Sequence, residues 1–186
     1  MINSKILDLK SEKLSILYNI IIVLSGSILI ALFSQISIRI PFSPVPITGQ
    51  TLAIMLVGVM LGSKKGALSV LIYLLEGAVG IPVFANFSGG IQHLLGPTGG
   101  YLFSFIIATF IIGYFYEKNR NRNLLLSLFA VLLTHLIIFG IGLSWLSFYV
   151  GLDKVLSIGF FPFIPGAFIK ITLFFSIVYG YKFLTK

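Results

Sequence analysis

The chain contains no cysteine, which excludes disulfides, thiol nucleophiles and cysteine-ligated metals. It holds only five acids, two of them (Asp8 and Glu12) near the N-terminus, and two histidines, His93 and His135, far apart in sequence. Paired acids, an Asp-rich metal motif and a local histidine cluster are therefore missing. No serine, histidine and acid arrangement suggests nucleophilic catalysis. The string GVMLGSKKG at 58–66 fails the phosphate-loop spacing G-x-x-x-x-G-K-[ST], which rejects it as a nucleotide site. Charge is also scarce, at 10% of 186 residues against about 25% in soluble domains.

Apolar residues fill the space that charge leaves. They make up 58% of the chain, and mean hydropathy is +1.08, which marks an integral membrane protein. The formal net charge of +8 is accordingly read as a topological signal, with no nucleic acid as partner. Polar residues 1–13 form a cytoplasmic lead-in. The apolar run of about 25 residues that follows is too long for a signal-peptide core and is read as a retained helix.

Six spans are expected: 14–38, 51–61, 67–79, 101–116, 124–147 and 162–183. Prolines at 41, 44 and 46 stop the first. The second and third are shorter than the ~20 residues that cross a bilayer. Either they borrow from flanking loops, or they meet those loops in a cavity within the membrane. With the N-terminus inside, Lys5, Lys10, Lys13, Lys64, Lys65, Lys118, Arg120, Arg122, Lys182 and Lys186 lie on the cytoplasmic side, and only Arg39, Lys154 and Lys170 on the other. This bias follows the positive-inside rule. The fold class is thus an all-α integral membrane bundle of six transmembrane helices with cytoplasmic N- and C-termini, one domain spanning 1–186. Loops 39–50, 81–100 and 149–166 fall on the outer face.

The loop IPVFANFSGGIQHLLGPTGG at 81–100 carries seven glycines or prolines beside Asn86, Ser88, Gln92, His93 and Thr98. Non-helical backbone inside hydrocarbon survives only at an interface or lining a protected cavity, so this loop is a candidate substrate site. Its paired glycines, Gly89-Gly90 and Gly99-Gly100, allow close backbone approach as a lid, a floor or plain tight turns.

Three blocks, PFSPVPITGQTL at 41–52, EGAVGIPVFANFSGG at 76–90 and LLGPTGGYLFSF at 94–105, resemble in order and spacing the BioY family, the substrate-binding S components of energy-coupling-factor (ECF) biotin transporters. The likeness runs across about 30–110, with a fourth match, FPFIPGAFIK, at 161–170. The resemblance implies a six-helix fold that binds biotin near the outer face of the bacterial plasma membrane. It also implies a transmembrane coupling subunit and two ATPase subunits as partners. No cofactor is implied, biotin being the transported ligand. One departure stands out: where relatives carry an acid in the fourth block, this chain has Ala167, while Lys170 keeps its place.

Biotin presents two ureido N–H donors, a ureido carbonyl, an apolar sulfur ring and an acidic tail. Asn86 both donates and accepts, which suits the ureido edge; alternatively it adopts a left-handed turn. Lys170 suits the tail carboxylate, against snorkelling or a pair with Glu76. Glu76 either accepts from a ureido N–H, compensating for the missing acid, or pairs with Arg39 or Lys170. Gln50 lines the cavity, whereas Thr48 caps the second span. Phe84, Phe87 and Tyr101 offer apolar faces, and Ser88, Thr98 and Tyr101 form walls. His135 is expected to bond a neighbouring helix, and Trp145 to anchor at the interface. Ser27 and Ala31, small residues four apart, form a stripe that by resemblance docks on the coupling subunit. The competing functions are an S component for another vitamin, a small intramembrane enzyme, and a structural scaffold.

Overall fold

The computed structural model describes residues 2–119 and 123–184, with side chains for 14–119 and 123–180. The side-chain placements expected for Lys5, Lys10, Lys13, Arg120, Arg122, Lys182 and Lys186 lie outside the described residues. The long elements are helical: α1 (Ile2–Ser34), α2 (Gln50–Ala78), α4 (Gly99–Lys118), α5 (Leu124–Val150) and α7 (Ile164–Leu184), with short helices α3 (Gln92–Leu95) and α6 (Val155–Gly159). Five stretches of the described residues are long and apolar enough to cross a membrane.

The helix α2 is not straight. At Gly62 the backbone leaves helical geometry (φ 81°, ψ 177°), a region that side-chain-bearing residues rarely adopt. The two arms fold back on each other. A Cβ on Gly66 would lie 3.1 Å from the Gly58 Cα, and Gln50 Nε2 donates to the Tyr73 hydroxyl at 2.5 Å. In a continuous helix those last two residues would stand about 35 Å apart. The arms 50–61 and 63–78 therefore correspond to the second and third expected spans. They are about 18 and 24 Å long, short of a ~30 Å hydrocarbon core. The first arm opens at the loops of one end, where Gln50 and Thr51 line a cavity.

The helix α1 ends at Ser34, four residues before the expected boundary. Ser37–Ile38 instead pairs antiparallel with Ile47–Thr48, forming strands β1 and β2. The alternating apolar residues Ile36, Ile38 and Ile40 continue the hydropathy but not the helix, because the chain must turn back to join α2.

The core forms where α2 packs on α1 and α4, and α4 on α5. Ile30, Ile54, Val57, Val70, Tyr73, Ala108 and Leu146 are buried there. The outward faces of α1 and α5 carry exposed Leu17, Ile21, Ile28, Leu132 and Leu136, as a surface solvated by lipid chains requires. Ser27 and Ala31 do not belong to that outward face. Ser27 is fully buried and donates to Glu76, and Ala31 packs on the core. The expected docking stripe is a helix–helix contact within this chain, where small residues let α1 approach α2 closely.

At the end opposite the loops, polar groups satisfy one another. Glu117 accepts from Ser63 N at 2.7 Å and from its hydroxyl at 3.0 Å, which ties the Gly62 turn to α4. Asn123 caps α5 by accepting from Leu125 N and Leu126 N. Asn119 Nδ2 donates to the Asn123 carbonyl and the Ser127 hydroxyl.

Candidate functional site

A cavity of about 470 Å³ lies beneath the loops at the β1–β2 end, within the range typical of small-molecule sites. Its walls come from every part of the chain that the sequence motifs mark. Loop 39–46 and the start of α2 supply one side. Phe84, Ala85, Asn86, Ser88, His93 and Thr98 supply another, and α4, α5 and α7 close the rest.

Loop 81–91 is shaped by a tight turn. Phe84 and Ser88 form an antiparallel bridge, and Asn86 and Phe87 both take positive φ, 60° and 53°. Asn86 thus adopts the left-handed turn and lines the cavity at once. Its Oδ1 accepts from Ser37 Oγ at 3.1 Å. The Phe87 side chain does not line the cavity and is 74% exposed. Its backbone N donates to Gln35 Oε1 at 2.8 Å. Gln35 and Ser34 hold this turn from α1, donating to the carbonyls of Val83 and Phe84. Neither was singled out from sequence. The available signal was a pair of polar residues at the loop-facing end of an apolar helix.

Phe84 is buried and sets its ring edge-on to Tyr73 and His93. Tyr101 lines the cavity, stacks on Phe163 at 6.1 Å and donates to the Gly159 carbonyl at 2.9 Å. Ser88 and Thr98 are wall residues whose hydroxyls donate to the carbonyls of Ala85 and His93. Gly99 and Gly100 start α4 and are buried, admitting Trp145. Trp145 donates to the Gly96 carbonyl at 2.9 Å, so it pins this loop.

Gln50 is 5% exposed and lines the cavity. Its Oε1 accepts from the Thr48 hydroxyl at 2.8 Å. Gly49, without a capping side chain, occupies the N-cap of α2, while the Thr48 hydroxyl accepts from the backbone N of Gln50, the first residue of α2, at 3.4 Å, so Thr48 both helps to satisfy the start of the helix, as expected, and orients the Gln50 side chain. Lys170 reaches in from α7 and donates to the Thr48 carbonyl and Thr51 Oγ1, both at 3.2 Å. An ammonium carries three donors, and two are used here. Glu76 does not line the cavity. Its partner is Ser27, in place of Arg39 or Lys170, because it faces α1 on the other side of its helix.

The electrostatics of the cavity are one-sided. Among the described residues, Arg39 and Lys170 line it, and no aspartate or glutamate does. An embedded cation without a carboxylate is costly, and among the described residues none lining the cavity supplies one. His135 also lines the cavity. Its Nδ1 bonds the Val131 carbonyl of its own helix at 2.9 Å, not a neighbouring helix, and its buried Nε2 has no hydrogen-bond partner among the described residues. Ala167 faces the same space.

The family model described as "BioY family" matches residues 5–185. A probable biotin transporter BioY of Pyrococcus horikoshii is 48% identical over 137 residues, covering 74% of this chain and 79% of that protein. The biotin transporter BioY of Thermotoga maritima is 45% identical over 137 residues, covering 73% and 80%. Among solved structures, the S-component for biotin from an ECF-type ABC transporter superposes with a TM-score of 0.78 at 32% identity, covering 88% of this chain and 90% of that one. With a family match over nearly its whole length and a multi-pass helical fold shared with a solved relative, the chain belongs to the BioY family.

Proposed function

We propose that this chain is the biotin-binding S component of an ECF-type transporter, a transport subunit and not an enzyme. The observation that carries the reading is a cavity lined, among the described residues, by two cations, aromatic walls and no acid. Biotin is a monoanion with a compact apolar ring, so its carboxylate supplies the missing counter-charge and its ring meets Phe84, Tyr101 and Phe163. Thiamin is cationic and would add to the uncompensated charge; riboflavin brings no anionic group.

The topology fits uptake from outside. Counting the two arms of α2 separately gives six spans in one membrane domain, and an even number returns both termini to one face. The ten-to-three distribution of Lys and Arg that this orientation gives supports reading that face as the cytoplasmic one of a bacterial cell. The cavity then opens outward. Asn86 and Gln50 address the ureido edge, and Lys170 with its third donor addresses the carboxylate. A transmembrane coupling subunit and two ATPase subunits would drive release inward by reorienting the bundle.

Calorimetry on the detergent-purified protein tests the reading, with thiamin and riboflavin as controls. Selective biotin binding tighter than about 1 µM, about −8 kcal/mol, is expected. Binding of either control in preference to biotin would assign the cavity to another vitamin.

A further inference from the structure

Gln50 belongs to the first arm of α2 and lines the cavity. Both ends of its side-chain amide are held. Oε1 accepts from the Thr48 hydroxyl at 2.8 Å, and Nε2 donates to the Tyr73 hydroxyl at 2.5 Å. Tyr73 comes from the second arm, 23 positions away, and reaches Gln50 only because the chain reverses at Gly62. It is fully buried and is not among the residues that line the cavity. A ligand in the cavity therefore meets Gln50 and not Tyr73.

The Tyr73 ring is itself fixed. It stands edge-on to Phe84, with ring centroids 5.5 Å apart. Gly77, one turn further along the arm, leaves the room that Phe84 fills, since a Cβ there would lie 2.1 Å from the Phe84 ring. A tyrosine has few side-chain torsions, and close packing on all sides sets them, so its hydroxyl is a rigid point. Glutamine is rotamer-rich. Left untied at the cavity wall, it would sample several rotamers and lose that freedom when a ligand binds. Tied at both ends, it holds one geometry before the ligand arrives, with one amide proton left beyond the one given to Tyr73.

We propose that Tyr73 is a positioning residue for ligand binding, which acts through Gln50 by holding its amide in the binding geometry. This rests on the biotin reading, in which Gln50 addresses the ureido edge. A positioning role differs from a contact: removing the hydroxyl weakens binding only while Gln50 is there to be positioned. The return of the second arm onto the first then does more than pack, because the bond that joins them sets a polar group in the cavity wall.

The test is calorimetric titration of biotin into wild-type protein, Tyr73→Phe, Gln50→Leu and the double variant, each first shown to be folded by its thermal midpoint in detergent. Phenylalanine keeps the ring and removes the hydroxyl alone. The double variant replaces both members of the pair with apolar groups, which leaves neither unpaired. In Tyr73→Phe, biotin affinity is expected to fall about 3–10-fold, the cost of ordering one flexible side chain on binding. Gln50→Leu is expected to lose about 10-fold or more, as for a hydrogen bond missing from a buried site. In the Gln50→Leu background, Tyr73→Phe should change affinity by less than about 2-fold, a result that a purely structural role would not give. Wild-type affinity in folded Tyr73→Phe, or in folded Gln50→Leu, overturns the inference while leaving the biotin reading intact. A loss from Tyr73→Phe of the same size in both backgrounds also overturns it, by assigning Tyr73 to packing. Should Tyr73→Phe alone not fold, the double variant set against Gln50→Leu still decides: equal affinities support the inference and a further loss overturns it. Failure of folded wild-type protein to bind biotin overturns the biotin reading and this inference together.

Discussion

The two ends of the bundle are both polar, yet they use polarity in opposite ways. At the Gly62 turn, Ser63, Glu117, Asn119, Asn123 and Ser127 bond one another or nearby backbone. At the cavity end, polar side chains are held by backbone or by a neighbour, and each hold leaves part of the group unused. Lys170 keeps one donor, and Gln50 keeps one amide proton. A polar cluster that consumes itself stabilises a turn, and one that stops short of doing so is poised for a ligand. Density of polar residues does not separate the two; the count of unspent donors and acceptors does.

Crowding the turn is the strongest way to break this contrast. A Cβ on Gly113 would lie 2.6–2.8 Å from backbone atoms of Gly62 and Ser63. Gly113→Val should push α4 off the turn and destabilise the protein by about 3 kcal/mol, seen as a lower thermal midpoint in detergent. Biotin affinity of the molecules that remain folded should not change. A large affinity loss there would show that the two ends are coupled and that the division between them is false.

An intermediate effect is expected at the other end. Lys170→Met keeps most of the side-chain volume and removes the charge. Biotin should bind about 10–100-fold more weakly, the loss of a hydrogen bond to a charged group. The methyl ester of biotin should lose little further in the variant. If acid and ester are weakened equally, the carboxylate is bound elsewhere in the cavity, and Arg39 becomes its partner.

The smallest and most discriminating change is Asn86→Gly. Glycine accepts the φ of 60° found there without strain, so the substitution removes the amide and keeps the turn. A loss of about 10-fold in biotin affinity, about 1.4 kcal/mol, is expected by titration. Unaltered affinity would place Asn86 with the self-satisfied polar groups, as a turn residue alone.

Some features of this arrangement could be read along the chain, and others could not. The Pro-rich loop after α1 and the Gly-rich loop at 81–100 were readable because apolar runs stop there, and both border the cavity. Asn86, Lys170, Gln50, Phe84, Ser88 and Tyr101 were named from sequence and line one space. Glu76 and Phe87 were named on equal grounds and do not. The difference is helical and turn azimuth: Glu76 faces α1, and positive φ at Phe87 swings its ring outward. His135, expected to bond a neighbouring helix, bonds its own for the same reason. It lies in the middle of an apolar helix, and nothing adjacent in sequence shows which way its ring points.

Sequence alone determined the solvent of this protein, the places where helices must stop and the family it resembles, because hydropathy, proline and glycine act locally on the chain. Tertiary structure decided which polar atoms meet and which are left over. Ser27 with Glu76, Gln35 with the 83–87 turn, and Lys170 with Thr48 are joined across 49, about 50 and 122 positions. Those unions depend on helix rotation and close packing, which no local pattern encodes, and they decide where a ligand finds an unpaired partner.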